Sequence, residues 1–67
     1  MLTWERFETY HFKASRWTII KQLSSEGYEL LRHVGDITEG DNINIGDANM
    51  TLALAKEVAQ LVEDSFK

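Results

Sequence analysis

Ser15-Arg16-Trp17-Thr18-Ile19-Ile20-Lys21-Gln22-Leu23-Ser24-Ser25-Glu26-Gly27-Tyr28 is the stretch on which the fold turns. Ser15 is of the residue type that caps helix N-termini, its hydroxyl accepting an otherwise orphaned backbone N–H. At about 100° per residue, Trp17, Ile19, Ile20 and Leu23 gather on one side, as an amphipathic helix requires. Gly27 suits the left-handed position that closes such a helix, and Tyr28 beyond it would pack on Leu23. The spacing therefore predicts a helix from Ser15 to about Glu26. Arg16 lies inside the apolar arc, but at the first helical position its guanidinium reaches solvent along its own aliphatic stem.

Upstream, Trp4, Phe7, Thr9, Tyr10 and Phe12 have strong β propensity with imperfect alternation, which predicts a strand over 2–12 with a bulge or bend near Arg6 to Glu8. Downstream, Tyr28, Leu30, Arg32 and Val34 alternate with Glu29, Leu31, His33 and Gly35, a second strand. A turn at Thr38-Glu39-Gly40-Asp41 leads into a third, Asn42 to Ile45, whose isoleucines share a face. Asp47 or Asn49 would cap a final helix running to about Ser65. The expected fold class is α+β, a small two-layer β-α-β-β-α domain. Its mainly antiparallel three-stranded sheet would carry two helices on one face. With no Pro, low-complexity stretch or internal repeat to mark a linker, residues 1–67 read as a single domain.

The segment Ile20 to Leu31 resembles the helix-to-strand signature Leu-Asn-x-Leu-Gly-x-Glu-Gly-Trp-Glu-Leu-Val of a family of small uncharacterised bacterial domains. Leu23, Glu26, Gly27, Glu29 and Leu30 match it, while Lys21, Ser24 and Tyr28 stand where that family has Asn, Gly and Trp. The resemblance implies a strand-helix-strand start and carries no enzymatic activity with it.

At 67 residues, hydrophobic burial only narrowly outweighs the conformational entropy lost on folding. The absence of Cys removes disulfides and thiolate zinc sites as supports, so self-association is the expected source of extra stability. No apolar run approaches the roughly 20 residues of a membrane span, and Met1 to Arg6 lack a basic segment leading into an apolar one, so a cytoplasmic location is expected. The formal net charge of −4 is unevenly divided. Residues 1–34 carry five Lys or Arg against four Glu, whereas residues 35–67 carry two Lys against seven Asp or Glu. An acidic half repels nucleic acid and keeps a small protein soluble.

The last helix holds the most quantitative signal. Its polar residues Lys56, Glu57, Gln60, Glu63, Asp64 and Lys67 occupy about 120° of arc, its apolar ones about 200°. Covering one sheet needs little more than about 100°, so the surplus centred on Met50, Leu54, Val58 and Leu61 must meet something else. With Glu57 and Asp64 beside them, these residues are the expected protein interface, for a homodimer or another protein. A second candidate is a nucleic-acid face of Trp4, Arg6, Lys13, Arg16, Trp17 and Lys21, with Tyr10 and Arg32 nearby, since aromatics interleaved with cations stack bases and neutralise phosphates. A sequence pI near 4.9 weighs against it.

No catalytic set emerges. His11 and His33 on neighbouring strands could face each other with Asp36 orienting His33, a geometric possibility that nothing else in the sequence supports. A calcium loop starting at Asp41 fails because its third and twelfth positions are Ile43 and Leu52. Gly35, Gly40 and Gly46 are dispersed as hairpin glycines are, with no phosphate-binding loop. The sequence is thus read as a small non-enzymatic regulatory protein, without metal or cofactor, whose acidity and size fit a mobile-element or phage inhibitor of a host factor.

Overall fold

The computed structural model describes residues 1–21, 26–36, 38–46 and 49–66. Its elements run β1 (Glu5–Glu8), β2 (His11–Ala14), β3 (Trp17–Ile20), β4 (Glu29–Val34), β5 (Asp41–Asn44) and α1 (Leu52–Ser65). The five strands form one sheet in the order β1-β2-β3-β4-β5, each antiparallel to its predecessor. This is a β-rich α+β fold, and it corrects the expected two-helix, three-stranded β-α-β-β-α arrangement.

The correction falls on the opening stretch. Residues 15–21 contain a hairpin turn and β3 instead of the first turns of a helix, and 22–25 lie outside the described residues. Trp17 and Ile19 share one side of a helix, but at i and i+2 they also share one face of a strand. The ladders decide between these: Phe12 pairs with Ile19 and Ile19 with Leu30, while Ala14 pairs with Trp17 and Trp17 with Arg32. Trp17 and Ile19 are thereby fully buried and Leu30 almost so. Ser15 caps nothing; its φ of 55° turns the chain between β2 and β3, a positive value of the kind two-residue hairpin loops call for.

The expected first strand is a hairpin as well. The bulge anticipated near Arg6 to Glu8 is present as a register shift between those residues in the β1–β2 ladder. Thr9 and Tyr10 then reverse the chain. The β4–β5 hairpin and the last helix lie where the alternation and periodicity put them. The cap of α1 is Thr51, whose Oγ1 accepts the Leu54 N–H at 3.1 Å. Asn49 precedes it, and Asp47 lies outside the described residues.

Gly27 is not left-handed either; among the described residues, positive φ belongs to Ser15, Gly35 and Gly46. It is buried because the backbone of residue 49 crosses it, so closely that an added Cβ would lie 2.6 Å from the Asn49 carbonyl carbon and nearer still to its Cα. The adjoining Tyr28 N–H donates to the Met50 carbonyl at 2.8 Å.

One face of the sheet, carrying Phe12, Ala14, Trp17, Ile19 and Leu30, packs under α1, whose Ala55 and Ala59 are fully buried against it. The N-terminal segment lies on the Gln60 side of the helix. There the Leu2 N–H donates to Gln60 Oε1 at 2.7 Å, and Leu2 and Trp4 pack against the core. Near the helix C-terminus, Glu63 Oε2 accepts from Trp17 Nε1 at 2.9 Å and from Arg32 Nη1 at 3.0 Å. The Arg32 guanidinium sits between the Trp17 and Phe66 rings, 5.0 and 4.6 Å from their centroids. None of the described helices is long and apolar enough to cross a membrane.

Candidate functional site

Among the described residues, two exposed surfaces follow from the alternation that built the fold. The first is the outer flank of α1. Helix α1 docks through Ala55 and Ala59, which let it lie close to the sheet, with Leu52, Val58 and Val62 half-buried beside them, and its remaining two leucines point away. Leu54 is 45% and Leu61 65% exposed, with half-buried Val58 between them. These residues lie about 100° or more around the helix from Gln60, beyond the cover of the N-terminal segment. Glu57 and Asp64 border them and are exposed. Met50 does not join this group: the helix begins at Leu52, and Met50 is core at 5% exposure.

The second surface is the face of the sheet opposite α1. The register brings His11, Lys13, Thr18, Ile20, Leu31 and His33 onto it, with Asn42 alongside His33. Together with the β2–β3 turn these residues line a shallow trough of about 720 Å³. Lys13 and Arg16 are its exposed cations. Arg16 Nη1 donates to the Gly35 carbonyl at 2.8 Å, which ties the turn to the end of β4. Neither cation meets a carboxylate among the described residues. Phe7, 58% exposed, stands beside the trough: its ring meets His11 edge-on at 5.5 Å, with Lys13 Nζ 5.5 Å from its centroid. His11 Nε2 is buried without a hydrogen-bond partner, a state that ordinarily has a specific cause.

The two histidines share a face but do not meet. His11 is in register with Ile20 and through it with Glu29, four positions along β4 from His33. That is about 13 Å along the strand and about 10 Å across two strand spacings. Asp36 does reach His33, but through its backbone: the carbonyl accepts from His33 Nε2 at 2.8 Å, which fixes the proton on that nitrogen.

The cationic and aromatic residues singled out in the sequence scatter. Lys13 and Arg16 reach the open face, while Trp17 and Trp4 belong to the packed side. Arg6 is exposed on edge strand β1, and Lys21 lies over the Tyr10 ring at 4.8 Å. Arg32 is held by Glu63. Thr18, Ile20, Leu31 and Asn42 went unnoticed as surface candidates, and only the assignment of 17–20 to a strand makes them visible.

Compared with protein-family models, with curated proteins and with solved structures, the chain matches none.

Proposed function

We propose that this is a small, non-enzymatic, cytoplasmic binding protein that engages a protein surface through the outer flank of α1, the first occupant being a second copy of the same chain. What supports this is a pair of leucines left bare on a helix that is already docked. Ala55 and Ala59 face the sheet, flanked by the half-buried Leu52, Val58 and Val62, while Leu54 and Leu61 stay in solvent with nothing over them among the described residues. Leu54 and Leu61 are one heptad apart, so two antiparallel copies of α1 related by a twofold axis bring Leu54 of each against Leu61 of the other. Glu57 and Asp64 border the contact and favour a basic rim on any further partner.

Sedimentation equilibrium tests this. The unmodified chain is expected to approach twice its 7.7 kDa mass at high micromolar concentration, and the Leu54→Ser/Leu61→Ser variant to sediment as a folded monomer. A single 7.7 kDa species from the unmodified chain removes the dimer.

A further inference from the structure

We infer that the open face of the sheet is a nucleotide-binding surface, on which Lys13 and Arg16 take the phosphate while the Phe7 ring and the Ile20–Leu31 floor take the base. This surface is separate from the α1 flank and stands whether or not the protein dimerises.

Charge points to the ligand first. The chain has eleven Asp and Glu against seven Lys and Arg, yet no carboxylate lines the trough, whereas two cations and both of the chain's histidines do. Glu5, Glu8 and Glu29 lie on the same face but outside the trough, opposite Lys13, His11 and Ile20 in the ladders. Within the trough itself the charged groups are Lys13 and Arg16, and it is between these two that an anion is drawn although the molecule as a whole is acidic.

Shape and chemistry narrow the anion. A trough of about 720 Å³ falls within the roughly 300–1,000 Å³ range of small-molecule sites. Its apolar floor is made by Ile20 and Leu31, a surface that suits a flat ring. Thr18 and Asn42 line its walls, and their side chains make no hydrogen bond among the described residues, which leaves a hydroxyl and an amide for base or sugar edges. Phe7 supplies an exposed π-face next to a phosphate-binding cation, the pairing that single nucleotides and single strands both use. An acidic polypeptide would use the cations but leave the ring and amide idle.

The test is a ¹⁵N-resolved NMR titration of the full chain with uridine monophosphate, with a short oligouridylate and with polyglutamate. Shifts are expected at the amides of Lys13, Ser15, Thr18, Leu31 and His33, and not along α1. If oligouridylate alone binds, the ligand is an extended strand; if the mononucleotide binds too, the trough holds one nucleotide, and either result supports the inference. With two phosphates neutralised, the affinity for oligouridylate should fall about seven-fold between 50 and 200 mM salt. Lys13→Gln/Arg16→Gln, which removes both cations without setting a carboxylate opposite Glu5 and keeps an amide donor at position 16, should erase the response while circular dichroism stays unchanged. The Leu54→Ser/Leu61→Ser variant should bind like the parent. No shift at millimolar nucleotide, shifts centred on α1, an equal response to polyglutamate, or binding indifferent to Lys13→Gln/Arg16→Gln would each overturn it.

Discussion

Replacing Gly27 tests the packing of the fold at its tightest point. An alanine Cβ there would sit 2.6 Å from the Asn49 carbonyl carbon and 3.0 Å from its oxygen, and closer still to its Cα. All three are backbone atoms, which do not swing aside as a side-chain tip does. The strand end and the segment entering α1 must then separate, which strains the adjacent 2.8 Å bond from the Tyr28 N–H to the Met50 carbonyl. Overpacking of this kind costs about 1–3 kcal/mol, and a lost backbone hydrogen bond about 1 kcal/mol more. Gly27→Ala should therefore destabilise by about 2–4 kcal/mol, and at about 4–8 °C per kcal/mol for a domain of this size the melting temperature falls by about 8–32 °C. The assay is thermal unfolding by circular dichroism, with urea titration alongside. Gly27→Asn separates the mechanisms. A left-handed helix terminator accepts Asn at little cost, whereas a backbone crossing penalises Asn at least as heavily as Ala. A melting temperature within a few degrees of the parent for either variant would refute the crossing.

Glu63→Ala leaves the Trp17 indole N–H and the Arg32 guanidinium without their common acceptor, and should cost about 1–3 kcal/mol by urea unfolding; Glu63→Gln should cost less, and an unchanged midpoint for Glu63→Ala would show that water replaces the carboxylate. Ser15→Val, which puts a β-branched side chain at a φ of 55°, should destabilise by about 1–2 kcal/mol, while Ser15→Gly should be neutral or slightly stabilising. Equal melting temperatures for the two Ser15 variants would mean that the turn relaxes without strain.

The parts legible in the sequence are those with a single periodicity. Alternation from Tyr28 to Val34 and the glycine-bearing turn before Asn42 gave one reading, a hairpin, and the heptad-like spacing after Thr51 gave another, a helix. The surplus of apolar residues on that helix survives in Leu54 and Leu61, although placing the cap at Thr51 moves Met50 into the core. Trp17 to Ile20 satisfied both a helical arc and a strand face, and the choice rests on Phe12 and Leu30, which no local window contains. The Thr9-Tyr10 turn lacks Gly, Asn, Asp and Pro, so nothing in its composition divided the first strand in two. The open face was hidden for the same reason: until β3 stands between β2 and β4, the relation of His11 to His33 is undefined.

The order of the strands bears on how the chain is made. Each strand pairs with the one synthesised just before it, so the sheet can assemble by successive short-range closures, which are fast. Its cover arrives last, because α1 follows all five strands. A nascent or prematurely terminated chain thus presents Phe12, Trp17, Ile19 and Leu30 as one bare apolar face, a substrate for chaperones and proteases until the alanine ridge of α1 comes down on it.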